Sequence, residues 1–209
     1  MTRPPSTRRA GPAKRATASA GPRAVRGTPE ETRARLVAAA GAAFEHDGYF
    51  GTDTNRIAKA AGYAPGTFYK HFADKAEIFV AVYEAWIARE WDGVAAIVAD
   101  ARTPTEKAAR IADAVLEHHR AWPGLRASLR ALVATEPAIR RAHRASRRIQ
   151  MARMAELGLD DVGKNAILLL TVERIADAIA DGELRELGMG DDEARGRLVA
   201  VIEDRLRGR

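Results

Sequence analysis

The chain has 209 residues, 46% of them apolar and 30% charged, so it can bury a core and is not a wholly disordered polymer. It contains no cysteine, which excludes disulfides and cysteine metal sites and fits a reducing cytosol. The net charge of +6 is uneven: residues 1–29 carry seven Arg or Lys and no acid, which leaves 27 bases against 28 acids in the remaining 180 residues.

Ala, Leu, Arg and Glu dominate and no stretch alternates strictly, so an all-α chain is expected. The longest apolar runs, such as Ala166-Ile167-Leu168-Leu169-Leu170, fall far short of a membrane span, and no apolar segment follows the basic N-terminus as a secretory signal requires. The protein is expected in the cytoplasm.

Residues 1–27 are rich in Pro, Gly, Ser, Ala and Arg without a helical period, and are expected to be disordered. They read either as a solvated leader or mis-assigned start, or as a cationic arm that reaches phosphates or a minor groove. Helix 1 begins at Thr28-Pro29-Glu30-Glu31, a capping box with Pro at the first helical position. Leu36, Ala40, Ala43 and Phe44 form its apolar face, and Gly48 ends it in the left-handed region.

Helix 2 starts near Thr54 as N-cap and turns Ile57, Ala58 and Ala61 inward. Gly62 supplies a turn, and helix 3 opens at Pro65 with Phe68 and Phe72 inward. Leu36, Phe44, Ile57, Phe68 and Phe72 make a small three-helix core that needs the next helix to complete it. That helix opens with a second box, Asp74 to Glu77, carries Ile78, Phe79, Val82 and Trp86, and runs towards Val98.

A third box, Thr103 to Glu106, starts helix 5, and Trp122-Pro123-Gly124 breaks it. Helices from Pro123 to Ala134 and from Pro137 to Leu157 follow, then one from Asp160 or Asp161 and one from Asp192 to Arg207. The total is about nine helices, without internal repeats.

The stretch from Thr52 to Lys75 has the geometry of a helix-turn-helix, in which the first helix packs across the second so that the second presents its N-terminal turns to the major groove. Gly66 lets backbone approach phosphate or a base edge. Thr67, Tyr69, Lys70 and His71 lie opposite Phe68 and Phe72, as hydrogen-bond donors for phosphate. Lys75 opposes the helix dipole where it stands, which a nearby phosphate explains.

The pattern Thr54-x-x-Ile57-Ala58-x-x-Ala61-Gly62-x-x-x-Gly66-Thr67-Phe68-Tyr69-x-His71-Phe72-x-x-Lys75-x-x-Ile78 resembles the signature of TetR-type transcriptional regulators. The resemblance implies a DNA-binding domain over 28–76 and an effector-binding and dimerisation domain over 77–209. It implies phosphate contacts from Thr54, Tyr69 and Lys75, with Asn55, Arg56, Pro65, Gly66 and Thr67 facing the groove. Pro65 departs from the Lys or polar residue common there, which shifts base reading towards Asn55, Thr67 and Lys70. The implied function is a sequence-specific dimeric repressor on double-stranded operator DNA, released by a small-molecule effector, with activator and effector-independent architectural roles as alternatives.

The helices near 161–181 and 192–207 carry apolar stripes that serve either the subunit interface or their own core. Residues 120–150 hold eight Arg against one acid, read either as a solvated face or as a clamp for an anionic effector that includes Arg126 and Arg144. Trp86, Trp91 and Trp122 either line an apolar pocket, with Trp86 and Trp122 as effector candidates, or are plain core. Adjacent His118 and His119 point apart on a helix, so neither a metal site nor a cofactor is expected. No nucleophile elbow, phosphate loop or His-Glu metal pair suggests an enzyme.

Overall fold

Ten helices and no strand make up residues 27–208, the part of the chain that the computed structural model describes. The arm expected over residues 1–27 lies outside the described residues apart from Gly27. Helix α1 (Pro29–Asp47) starts at the expected box, with Thr28 accepting from the Glu31 amide and Glu31 accepting from the Thr28 amide. Gly48 takes a positive φ of 71° but with ψ of 171°, outside the left-handed helical region, and residues 48–51 form a turn.

Helix α2 (Thr54–Ala60) is capped by Asp53 and not by Thr54, because the Asp53 carboxylate accepts from the amides of Asn55 and Arg56 at 2.8 and 2.9 Å. A short charged acceptor at a helix N-terminus outcompetes a hydroxyl for that place. Gly62, at φ 83°, makes the expected turn. Helix α3 (Pro65–Phe68) is a single turn, and Tyr69 and Lys70 lie in the tight turn after it. Helix α4 (Lys75–Ala99) has half the expected box: Asp74 accepts from Glu77, while the Glu77 carboxylate takes the amide of Ala73.

Helices α5 (Pro104–Arg120), α6 (Pro123–Thr135), α7 (Pro137–Glu156), α8 (Val162–Ala180), α9 (Glu183–Glu186) and α10 (Asp191–Arg207) follow. Helix α9 is the tenth and unexpected one. It is one turn held between Gly182 and Gly188, both at positive φ, and is too short to show a helical period.

The expected three-helix core is present, with Leu36, Phe44, Ile57 and Phe68 at 0% exposure and Phe72 at 1%. It does not end at α3. The same buried cluster runs along α4 through Ile78, Phe79, Val82 and Trp86 to Leu125 and Leu132 of α6 and Ile139 of α7. A second core joins α5, α8 and α10.

Two close contacts tie α6 to α1. A Cβ on Gly124 would lie 2.2 Å from the Glu45 carbonyl oxygen, so only glycine fits. The Glu45 carboxylate in turn accepts from the amides of Gly124 and Leu125 at 3.2 and 3.1 Å, which satisfies free N–H groups at the start of α6. Nearby, the Tyr49 amide donates to Ser128 Oγ at 3.0 Å.

Of the stripe on α10, Leu198, Ile202 and Leu206 are buried in the second core, while Val201 is half-buried. A helix packed against two neighbours needs its apolar face for them. On α8, Ile179 is buried, whereas Val162, Ile167 and Leu170 stand largely exposed.

Candidate functional site

Helix α2 crosses α3 through Ile57, Ala58 and Phe68, all at 0% exposure, and this packing leaves one polar face outward. Asn55, Pro65, Gly66, Tyr69 and Lys70 are exposed, and Thr54, Thr67 and His71 half-exposed. Displaced from the cap position, Thr54 uses its hydroxyl otherwise: Oγ1 lies 2.9 Å from the Tyr69 hydroxyl. Two groups fifteen residues apart thereby form one hydroxyl pair bridging α2 and the turn after α3. Gly66 has open space above its Cα, so a ligand backbone can approach there.

Two expected contact residues are engaged within the protein. Arg56 binds Asp47 of α1 at 2.9 Å and donates to the Gly51 carbonyl. Lys75, expected to need a phosphate, donates from Nζ to the carbonyls of Tyr49 and Thr52, both at 2.9 Å, and sits 4.3 Å from the centre of the Tyr49 ring. Its unfavourable place at the start of α4 is therefore explained by carbonyls of the α1–α2 loop. Phe50 in that loop is 77% exposed, and nothing in its sequence context marked it as more than packing.

The larger unit holds a cavity of about 270 Å³ between α4, α5, α6, α7 and α8, lined by Trp86, His119, Arg126, Leu129, Glu173 and Asp177 among others. A constriction at Tyr83, Glu90 and Arg147 adjoins it, sharing Trp86, His119 and Glu173. An apolar space at Trp91, Val94, Met154 and Leu168 lies beyond, sharing Glu90. A wider groove of about 460 Å³ runs outside, between α8 and α10, and includes Ile167.

Of the four candidate effector residues, Trp86 and Arg126 line the cavity. Trp122 instead packs against α1 near Gly41, with the Arg89 guanidinium 5.2 Å from its ring centre. Arg144 faces solvent. The arginines expected to clamp an anion are largely taken. Arg126 binds Asp177 and, at 2.7 Å, Asp181; Arg130 reaches the same two carboxylates at 3.4 and 3.1 Å; Arg147 pairs with Glu173; and Arg140 donates to the carbonyls of Val133 and Ala134.

Sequence reasoning missed the centre of this network, Asp177. Burial alone raises its carboxyl, but hydrogen bonds from His119 and Arg126 outweigh that and bring it down to about 2. The adjacent histidines have separate tasks. His119 Nδ1 meets Asp177 at 2.9 Å, while His118 stacks on Trp86 with ring centres 4.5 Å apart. Burial, with the neighbouring His119 and Arg89, lowers His118 to about 4. Glu90 lies within 3.8 Å of both imidazoles, and burial pushes its carboxyl up.

Residues 36–82 match the family model described as bacterial regulatory proteins, tetR family. No curated protein matches the sequence significantly. Among solved structures, the chain is similar to a transcriptional regulator from Rhodococcus sp. Rha1, at 23% identity over 87% of this chain and 97% of that one, with a TM-score of 0.62. It is similar to a TetR transcriptional regulator from Rhodococcus sp. RHA1, at 18% identity over 86% and 97%, with a TM-score of 0.59. It also resembles the fatty acid degradation regulator FadR from Bacillus halodurans, at 16% identity over 85% and 96%, with a TM-score of 0.57. At these identities the likeness is one of fold.

Proposed function

We propose that this chain, a TetR-family DNA-binding transcriptional regulator by its N-terminal unit, acts in the cytoplasm as a homodimeric repressor that a small molecule releases from its operator. The observation that carries the DNA face is the pairing of Thr54 with Tyr69 beside exposed Asn55, Gly66, Thr67 and Lys70. Hydroxyls held in place and a nearby ammonium suit phosphate, which fixes register. Asn55 and Thr67 carry the groups that read base edges, since an amide suits adenine and a methyl meets thymine.

Two copies related by a two-fold axis would present two such faces to a near-palindromic site. The outward Ile167 and Leu170 of α8 support that axis. Release requires the effector to bind the two conformations unequally. The cavity touches both routes by which this happens: α4 through Trp86, and α6 through Arg126 and Leu129. Helix α6 continues to the Glu45 and Tyr49 contacts on the DNA-binding unit.

Selection of bound duplexes from a random pool, followed by gel shift and in vitro transcription from a promoter carrying the selected site, tests this reading. A near-palindromic site is expected, with transcription lowered by the protein. Thr67→Ala and Asn55→Ala should change sequence preference, while Tyr69→Phe weakens all sites alike. Recovery of no preferred sequence, or wild-type binding by all three variants, overturns it.

A further inference from the structure

We infer that the cavity beneath Trp86 takes an uncharged small molecule with a hydrogen-bond acceptor, such as a ketone or ester carbonyl, on an apolar body. This rests on the reading of that cavity as the effector site, and specifies the chemistry of its ligand.

The charges around the cavity already compensate one another. Arg126 and Arg130 share Asp177 and Asp181, and Glu173 is held by Arg147. An anion has to displace Asp177, whose donors keep it ionised down to about pH 2. A cation meets the two lining arginines with no free carboxylate among those on the wall. Either charge is desolvated without gaining a partner.

Among the side chains that line the cavity, the polar atoms left over are donors. Trp86 Nε1 and Arg126 Nε are buried and have no hydrogen-bond partner among the described residues. The two side chains are 4% and 3% exposed, and both line the cavity. Unpaired buried donors are rare and costly, and an acceptor brought by a ligand satisfies them. Leu129, Val133 and His143 complete the wall. Burial drives the His143 imidazole towards its neutral form, so it adds no charge. At the constriction, burial likewise favours the uncharged form of Glu90, and the space beyond is apolar. There Trp91 Nε1 is a further donor without a partner. A ligand therefore has an acceptor for the Trp86 end and room for hydrocarbon elsewhere.

A volume of about 270 Å³ equals that of about nine water molecules, so probes of about eight or nine heavy atoms suit it. Acetophenone, ethylbenzene, benzoate and benzylammonium have nearly one shape and differ in charge and acceptor. In calorimetric titration of the full-length protein, acetophenone should bind about tenfold more tightly than either ion and about fivefold more tightly than ethylbenzene. Trp86→Phe keeps an aromatic ring and removes the N–H, so it should abolish the preference over ethylbenzene. In the unmodified protein, acetophenone but not ethylbenzene should move the Trp86 indole N–H resonance downfield, which tests the contact without a variant.

Equal or tighter binding of benzoate or benzylammonium overturns the inference. So does an unmoved indole resonance at saturation, or no acetophenone binding at millimolar concentration. A ketone that binds as described but leaves operator affinity unchanged supports the ligand class and overturns the effector role.

Discussion

Replacing Gly124 by alanine tests how firmly the DNA-binding helices are fixed to the larger unit. The added Cβ would lie 2.2 Å from the Glu45 carbonyl oxygen and 2.9 Å from its carbon. Both are backbone atoms, so no rotamer change relieves the clash. Reaching an ordinary contact needs α1 and α6 to part by about 1 Å, and overpacking of this kind costs about 1–3 kcal/mol. The same parting stretches the two amide bonds to the Glu45 carboxylate beyond bonding range from 3.2 and 3.1 Å. Bonds to a charged acceptor contribute about 1.5–3 kcal/mol each, reduced here because water reaches the site. A total loss of about 3 kcal/mol is expected, which lowers Tm by roughly 6–12 °C in a chain of this size. Urea unfolding of Gly124→Ala, Glu45→Ala and the double variant measures it. The double variant should cost less than the sum, because the clash already breaks what Glu45→Ala removes. A Tm drop below about 2 °C for Gly124→Ala refutes the rigid contact.

Ile167→Glu with Leu170→Glu should convert the proposed dimer to a monomer in sedimentation while leaving helical content unchanged, since both side chains are mostly exposed within the subunit; a variant that sediments like the wild type removes α8 from the proposed interface. His118 is held down to about 4 from its ordinary 6.5, so the unfolded chain takes up a proton first as pH falls. Its contribution is neutral above pH 6.5 and becomes a destabilisation that grows towards pH 4, of about 1–2 kcal/mol after discounting for partial exposure. The raised Glu90 works in the opposite sense, so the informative quantity is the difference from His118→Phe. That variant should be relatively more stable at pH 4.5 than at pH 7.5, and parallel urea midpoints at both pH values refute the assignment. Lys75→Met should lower stability by about 2 kcal/mol, because two carbonyls lose a charged donor. Lys70→Ala, exposed, should leave stability unchanged and reduce the salt dependence of DNA binding by about one phosphate.

The helical order was legible because its signals are local. Capping boxes at Thr28 and Thr103, prolines at 29, 104, 123 and 137, and the apolar spacing of Leu36, Ala40 and Phe44 lie within a few turns of what they determine. The exposure of the polar face around α3 was legible for the same reason, since buried Phe68 and Phe72 fix which side points inward. Pairing across the fold was not. Local spacing does not tell that Asp177 meets Arg126, 51 residues away, or that Glu45 caps a helix 79 residues on. Charge counting overstated the arginine-rich segment, because the acids that neutralise it lie outside residues 120–150, on α8 and in the turn after it. The partners of Lys75 were hidden for a related reason: they are backbone carbonyls, which carry no signature in a sequence.

Those two carbonyls bracket the segment that leads into α2. Lys75 is the first residue of α4, and Thr52 directly precedes the cap residue Asp53. A tilt of α4 therefore acts as a tether pulled at its anchored end: it drags on the chain one residue before the cap of α2. The hydroxyl of Thr54 follows that cap, and with it the hydroxyl pair to Tyr69. On the proposed reading, the surface that faces phosphate would lose its alignment through a displacement of the loop, before α3 itself has to rotate.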